Sequence, residues 1–127
     1  MKFKIIIAFC SLILFAFIGC KKKEAGPGGK NSINGTVTFK NGANGNNDAA
    51  SMAWVSIAYG TNEATSSFDQ TILANIDGSF KIEGLQKGSY FIKAGYTDGN
   101  GFTYNNAGVG VTFENKKKNL EVNIILE

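Results

Sequence analysis

The sequence predicts an all-β fold, a single seven-stranded antiparallel β-sandwich over residues 32–127, and three observations carry that expectation. Apolar and polar residues alternate in seven short runs, which is the period of a half-buried strand. Clusters of Gly, Asn and Asp separate the runs, as turns require. Beyond residue 23 no apolar spacing of helical period extends over a useful length. Seven such runs in one domain-sized stretch fit two packed antiparallel layers.

The runs follow one another plainly. Ile33, Gly35, Val37 and Phe39 alternate with polar residues, and Asn41 to Ala50 then reads as a loop by composition. Ala53, Val55, Ile57 and Tyr59 make the second run, and Ile72, Ala74 and Ile76 the third. Asp77-Gly78 predicts a tight hairpin into Phe80 and Ile82. Leu85 precedes Lys87-Gly88, after which Tyr90, Ile92, Ala94 and Tyr96 share one face. The turn Asp98-Gly99-Asn100-Gly101 leads to Val109, Val111 and Phe113. In the last run Leu120, Val122, Ile124 and Leu126 oppose Glu121, Asn123 and Glu127.

The series Ile33-x-Gly35-x-Val37, Ala53-x-Val55-x-Ile57, Asp77-Gly78-Ser79-Phe80-x-Ile82 and Leu85-x-x-Gly88-x-Tyr90-x-Ile92-x-Ala94 resembles the carboxypeptidase regulatory-like domain, an Ig-like, transthyretin-like sandwich. The resemblance spans Ser32 to Glu127. It implies that Gly35 and the Asp77-Gly78 turn are structural, and it supplies no catalytic residue. Members of that family accompany carboxypeptidases, outer-membrane receptors and other exported proteins, or stand alone.

Residues 1–19 read as a signal rather than as fold. Lys2 and Lys4 precede an apolar run of 14 residues, Ile5 to Ile18, and Gly19-Cys20 stands before three lysines. As a helix that run reaches about 21 Å, short of the roughly 30 Å hydrocarbon core. Phe17-Ile18-Gly19-Cys20 resembles a bacterial lipobox, although Phe17 replaces the usual Leu. The resemblance implies cleavage before Cys20, lipid on that cysteine, and stable membrane attachment through several acyl chains. Lys21, where inner-membrane retention has Asp, points to the outer membrane of a Gram-negative cell. Lys21-Lys22-Lys23 with Glu24 alone favours its periplasmic face. Residues 20–31 are expected to be the lipidated cysteine and a flexible tether containing Pro27 and three glycines. Cys10 leaves with the signal, so no disulfide is expected in the mature chain.

Charge and missing residue types narrow the function. The formal charge of +3 falls to +1 without the signal lysines Lys2 and Lys4, and beyond Lys23 eight lysines face all ten acids. That is no basis for nucleic-acid binding. Histidine is absent, which removes the commonest general base and metal ligand and excludes Ser-His-Asp and Cys-His chemistry. The expectation is therefore no enzyme and no cofactor. Asn41, Asn44, Asn46, Asn47 and Asp48, like Asp98 and Asn100, offer oxygen ligands, but twelve positions from Asp98 stands Val109 rather than a closing acid. Lys40, Glu83 and Asn123, considered for an isopeptide cross-link, lie on the polar phase of their strands, whereas that chemistry wants burial. Lys116-Lys117-Lys118 reads as a solvated loop.

The aromatic residues are the candidate site. Trp54 is out of phase with Val55 and Ile57, and Phe91 with Tyr90 and Ile92, so parity turns both away from the core. Phe102 and Tyr104 follow a glycine-rich turn and are expected to be exposed. Such a patch suits a protein interface or a sugar face. The leading expectation is a membrane-anchored, non-enzymatic accessory or protein-interaction domain of the cell envelope. The alternative is a carbohydrate-binding module built around Trp54. The opposing structural expectation is that these rings pack beneath long loops or the tether.

Overall fold

The computed structural model describes residues 25–114 and 117–127. The predicted signal segment, Cys20, residues 21–24 and Lys116 lie outside the described residues. Ten strands form: β1 Pro27–Lys40, β2 Asn47–Ala49, β3 Trp54–Tyr59, β4 Gln70–Leu73, β5 Ser79–Leu85, β6 Gly88–Thr97, β7 Thr103–Asn105, β8 Val109–Phe113, β9 Asn119–Glu121 and β10 Ile124–Leu126. They make two sheets over one hydrophobic core, and no helix occurs among the described residues.

Ten strands replace the expected seven for local reasons. The short β2 forms from the stretch read as loop and pairs with the end of β1. β9 and β10 keep one register along β1, since Asn34 meets Glu121 and Val37 meets Ile124; they are one strand broken at Val122-Asn123. The break lies where the Val122 carbonyl presses against Gly35, leaving no room for a Cβ there. β7 and β8 likewise run along one edge of β6 with a one-residue slip between them.

Three further expectations are corrected. The sandwich is not purely antiparallel, because β9 and β10 run parallel to β1. Asp77-Gly78 does form a turn, with Gly78 at φ 83° and Asn75 N–H donating to Ser79 O at 2.8 Å. It is not a hairpin, however: β4 pairs with β3 and β5 with β1, so the turn carries the chain from one sheet to the other. Asp77 stabilises that turn by accepting from Ser79 N and Oγ, which holds its carboxyl below the usual range. Finally, residues 27–31, expected as tether, belong to β1. Gln86 N–H donates to Gly26 O at 2.8 Å, and Gln86 Nε2 to Pro27 O at 2.7 Å. The buried Tyr90 hydroxyl accepts from Gly26 N at 2.9 Å and donates to Gln86 O at 2.6 Å. Those partners satisfy the backbone of this glycine-rich segment and offset the entropy lost in ordering it.

Parity builds the core. Ile33, Val37 and Phe39 of β1, Val55 and Ile57 of β3, Tyr90, Ile92 and Ala94 of β6, and Ile124 and Leu126 of β10 all point between the sheets and are buried. Each fully buried aliphatic side chain contributes roughly 1.5–3 kcal/mol. In β5 the inward phase changes from Phe80 and Ile82 to Leu85 at Gly84, whose φ of 71° permits the bulge. Among the described residues Asn31 is the exception to side-chain polar satisfaction: it is fully buried, and its amide has no hydrogen-bond partner.

Candidate functional site

The outer face of the sheet containing β3 and β6 collects the candidate residues. Its strands run β4–β3–β6, with β7 and β8 sharing the far edge of β6. Trp54, Ser56 and Ala58 of β3 face outward between the buried Val55 and Ile57. Across the register Trp54 meets Gly95 and Leu73, Ser56 meets Lys93 and Thr71, and Ala58 meets Phe91.

Trp54 lies on Gly95. A Cβ built on that glycine would come closest to Cζ2 and within 2.6 Å of its ring neighbours Cε2 and Cη2. Such a point is well out of the ring plane, under the Cζ2 edge of the six-membered ring. The indole is therefore stacked on bare backbone, a pairing that compensates a glycine in mid-strand. Trp54 is half-buried, and no other aromatic ring packs on it among the described residues. Leu73, its neighbour on β4, is 61% exposed. Hydroxyl pairs border this apolar row, Ser56 with Thr71 at 2.8 Å and Thr97 with Thr103 at 3.0 Å.

Phe91 stands on the same outer face, yet it is only 5% exposed, which corrects the expectation that it joins an open platform. Residues 60–69 cross over it. Phe68 stacks on Phe91 with ring centroids 6.4 Å apart, and the Asn62 carbonyl sits where a Cβ of Gly110 would be. Gly108 lies against the end of the Phe91 ring. The cover is tied down at Asp69, whose carboxylate accepts from Tyr59 N at 2.7 Å and whose own N–H donates to Ile57 O. Tyr59 donates its hydroxyl to Gln70 at 3.0 Å; burial and then the Asp69 charge push its ionisation upward.

Tyr104 is also displaced from the expected patch. It pairs with Tyr96 on β6, whose side chain faces inward, and its ring lies 4.9 Å from that of Phe39. Phe102 is 66% exposed in the β6–β7 turn, where Asp98 accepts from its backbone N–H at 2.9 Å. The structure thus separates the four aromatics: Trp54 on the open outer face, Phe91 beneath a loop, Tyr104 at the core margin, Phe102 on a turn.

The other polar candidates are occupied by turns and surface pairs. Asn41 bonds Asp48 at 2.9 Å and caps Ala43 N, while Asn44 caps Asn46 N. Asp98 caps Asn100 N as well as Phe102 N. Among the described residues no three acidic, Cys or His side chains converge as a metal would need. Glu83 pairs with Lys81 at 2.9 Å on the surface, and Asn123 bonds Thr36, so neither joins Lys40 in a buried cluster. Sequence reasoning missed Leu73, Lys93 and Gly95, because nothing local states that they border Trp54; cross-strand register alone does so.

No family model matches the chain, and no curated protein matches it. In fold it is similar to a crystal structure from Pseudomonas aeruginosa described as that of a "putative carbohydrate binding protein". The two share a TM-score of 0.56 at 15% identity, over 80% of this chain and 91% of that one. At that identity the likeness establishes a shared β-sandwich architecture.

Proposed function

We propose that this chain is an exported, lipid-anchored, non-catalytic binding module of the cell envelope that holds carbohydrate on the outer face around Trp54. The observation that carries the reading is the indole stacked on Gly95 and flanked by Leu73 and paired hydroxyls. A sugar ring presents an apolar C–H face and a polar rim, and this surface offers the complement: a flat aromatic floor with hydroxyls beside it. The sandwich neighbour described as carbohydrate binding supports the same direction. The absence of histidine and the dispersal of the acids support the non-catalytic part. The lipobox-like Phe17-Ile18-Gly19-Cys20 supports attachment at Cys20, with the outer membrane as destination. Resemblance of the strand motifs to carboxypeptidase regulatory-like domains fits a module that contributes binding rather than catalysis.

A second reading, an accessory domain that engages another envelope protein, draws on a different surface. Met52 and Ile76 are 57% and 78% exposed and line a shallow groove with Ala74, Asn75 and Asp77. Exposed apolar side chains beside a groove are what such a contact would bury. A panel of immobilised polysaccharides separates the two readings. Carbohydrate binding predicts retention of the mature protein on at least one glycan and loss of that retention in Trp54→Ala. Retention that persists in Trp54→Ala removes the platform from the reading. Changing Cys20→Ser should release the protein from the membrane fraction and abolish labelling by a fatty-acid analogue.

A further inference from the structure

Lys93 is the one charged residue that register places on the open part of this face. The outward positions around Trp54 are Thr71 and Leu73 on β4, Ser56 on β3, Lys93, Gly95 and Thr97 on β6, and Thr103 and Asn105 on β7. None is acidic. Lys93 is half-buried, and its side chain makes no ion pair or hydrogen bond among the described residues. Of the nearby acids, Asp69 is bonded to Tyr59 N and Asp98 to the backbone of its own turn, while Glu127, whose backbone pairs with Asn105 at the sheet edge, forms no ion pair with Lys93. Lys93 precedes Gly95 by two positions on β6, so its Cα lies roughly 6.6 Å along the strand from the backbone beneath the indole. A lysine ammonium without a counter-ion, beside an aromatic floor, is complementary to a ligand that carries its own negative charge at the ring edge.

Resting on the carbohydrate reading, we infer that the platform is specific for acidic sugars, pyranose units bearing a carboxylate, with the ring stacked on Trp54 and the carboxylate paired to Lys93. Thr71, whose hydroxyl is paired with that of the buried Ser56, and the exposed Thr97–Thr103 pair border the stacked ring on either side and serve its hydroxyl rim. A neutral sugar would still stack on the indole, but it would leave the ammonium without a partner. The charge therefore sets selectivity, and the ring sets binding.

The test measures retention of the mature protein on polygalacturonate, alginate and a glucuronan, each alongside its carboxyl-reduced, neutral form. The expected result is tighter binding of at least one acidic polymer than of its reduced counterpart by about tenfold, the scale of one charge-assisted hydrogen bond. That preference should shrink as salt is raised. Lys93→Gln should abolish the preference while keeping residual binding to both forms, and Trp54→Ala should lose both. Equal binding of acidic and reduced polymers, or a preference that survives Lys93→Gln, overturns the acidic specificity and leaves the carbohydrate reading standing. Failure of every polymer, acidic or neutral, overturns both. A melting curve for each variant accompanies the measurement, and Lys93→Arg, which keeps the charge, should retain the preference.

Discussion

The outer face of one sheet contains two halves with the same local chemistry and opposite fates. At one end Trp54 of β3 faces Gly95 of β6; at the other, Phe91 of β6 faces Gly110 of β8. Each is an aromatic residue directly across from a glycine, on strands whose alternate residues fill the core. Trp54 stays open beside Leu73, whereas Phe91 is sealed by residues 60–69, with Phe68 stacked on it and the Asn62 carbonyl over Gly110. The difference teaches that a ring turned outward by strand parity is a candidate for binding only when no segment distant in sequence covers it. Covered, the same ring becomes a second small core.

The largest expected effect breaks the covered half. Phe91→Ala should lower the unfolding free energy by about 3–4 kcal/mol, as for a buried aromatic, in a urea or thermal melt. Losses of similar size at Phe91 and Trp54 would erase the distinction between the halves. Next, Gly110→Ala drives a Cβ into the Asn62 carbonyl and should cost about 2 kcal/mol, with faster hydrogen exchange or proteolysis across residues 60–69. Protection of that segment unchanged from the parent would show that the cover adapts without moving.

Trp54→Ala should cost about 1 kcal/mol, because the indole is partly exposed and packs on the Gly95 backbone and Leu73 outside the core. Gly95→Ala sharpens the same point from below. The new Cβ displaces the indole, and since Trp54 is the single tryptophan its emission should shift to the red while the melt moves little. An unshifted spectrum would place the ring elsewhere.

The smallest effect is alkaline. Burial, reinforced by the Asp69 charge, raises the Tyr59 pKa in the folded state above the ordinary value near 10. The folded state therefore favours the neutral phenol. Its contribution is complete below that ordinary value and is lost as pH climbs through the raised one. Because Asp69 anchors the cover, exchange across residues 60–69 should rise on that alkaline limb before exchange near Trp54 does. Tyr59→Phe should remove this early limb, and an identical limb in that variant would assign it to another group.

Much of this geometry is legible locally and some is not. The inward residues of β3 and β6 follow from period-two alternation, and the Asp98–Gly101 turn from its Asp, Asn and Gly content. Tyr104 defeats the local argument, because pairing with Tyr96 turns it inward against Phe39. Residues 27–31 defeat it too: their composition says tether, but Gln86 and Tyr90 offer partners for their backbone. The Asp77-Gly78 turn keeps its local geometry, while its role as a bridge between sheets depends on which strands pair on either side.

By itself, then, the sequence determined the all-β class, the strand faces, the turns and the exclusion of histidine chemistry. These follow from the alternation of side chains along an extended chain and from the residue types present, both of which are local facts. Only the tertiary structure decided that β9 and β10 lie parallel to β1, that Phe68 covers Phe91, and that Lys93, Leu73 and Gly95 gather around Trp54. Those outcomes depend on register between strands far apart in the chain. Register is chosen by the packing of the whole core, and no single run of residues carries it.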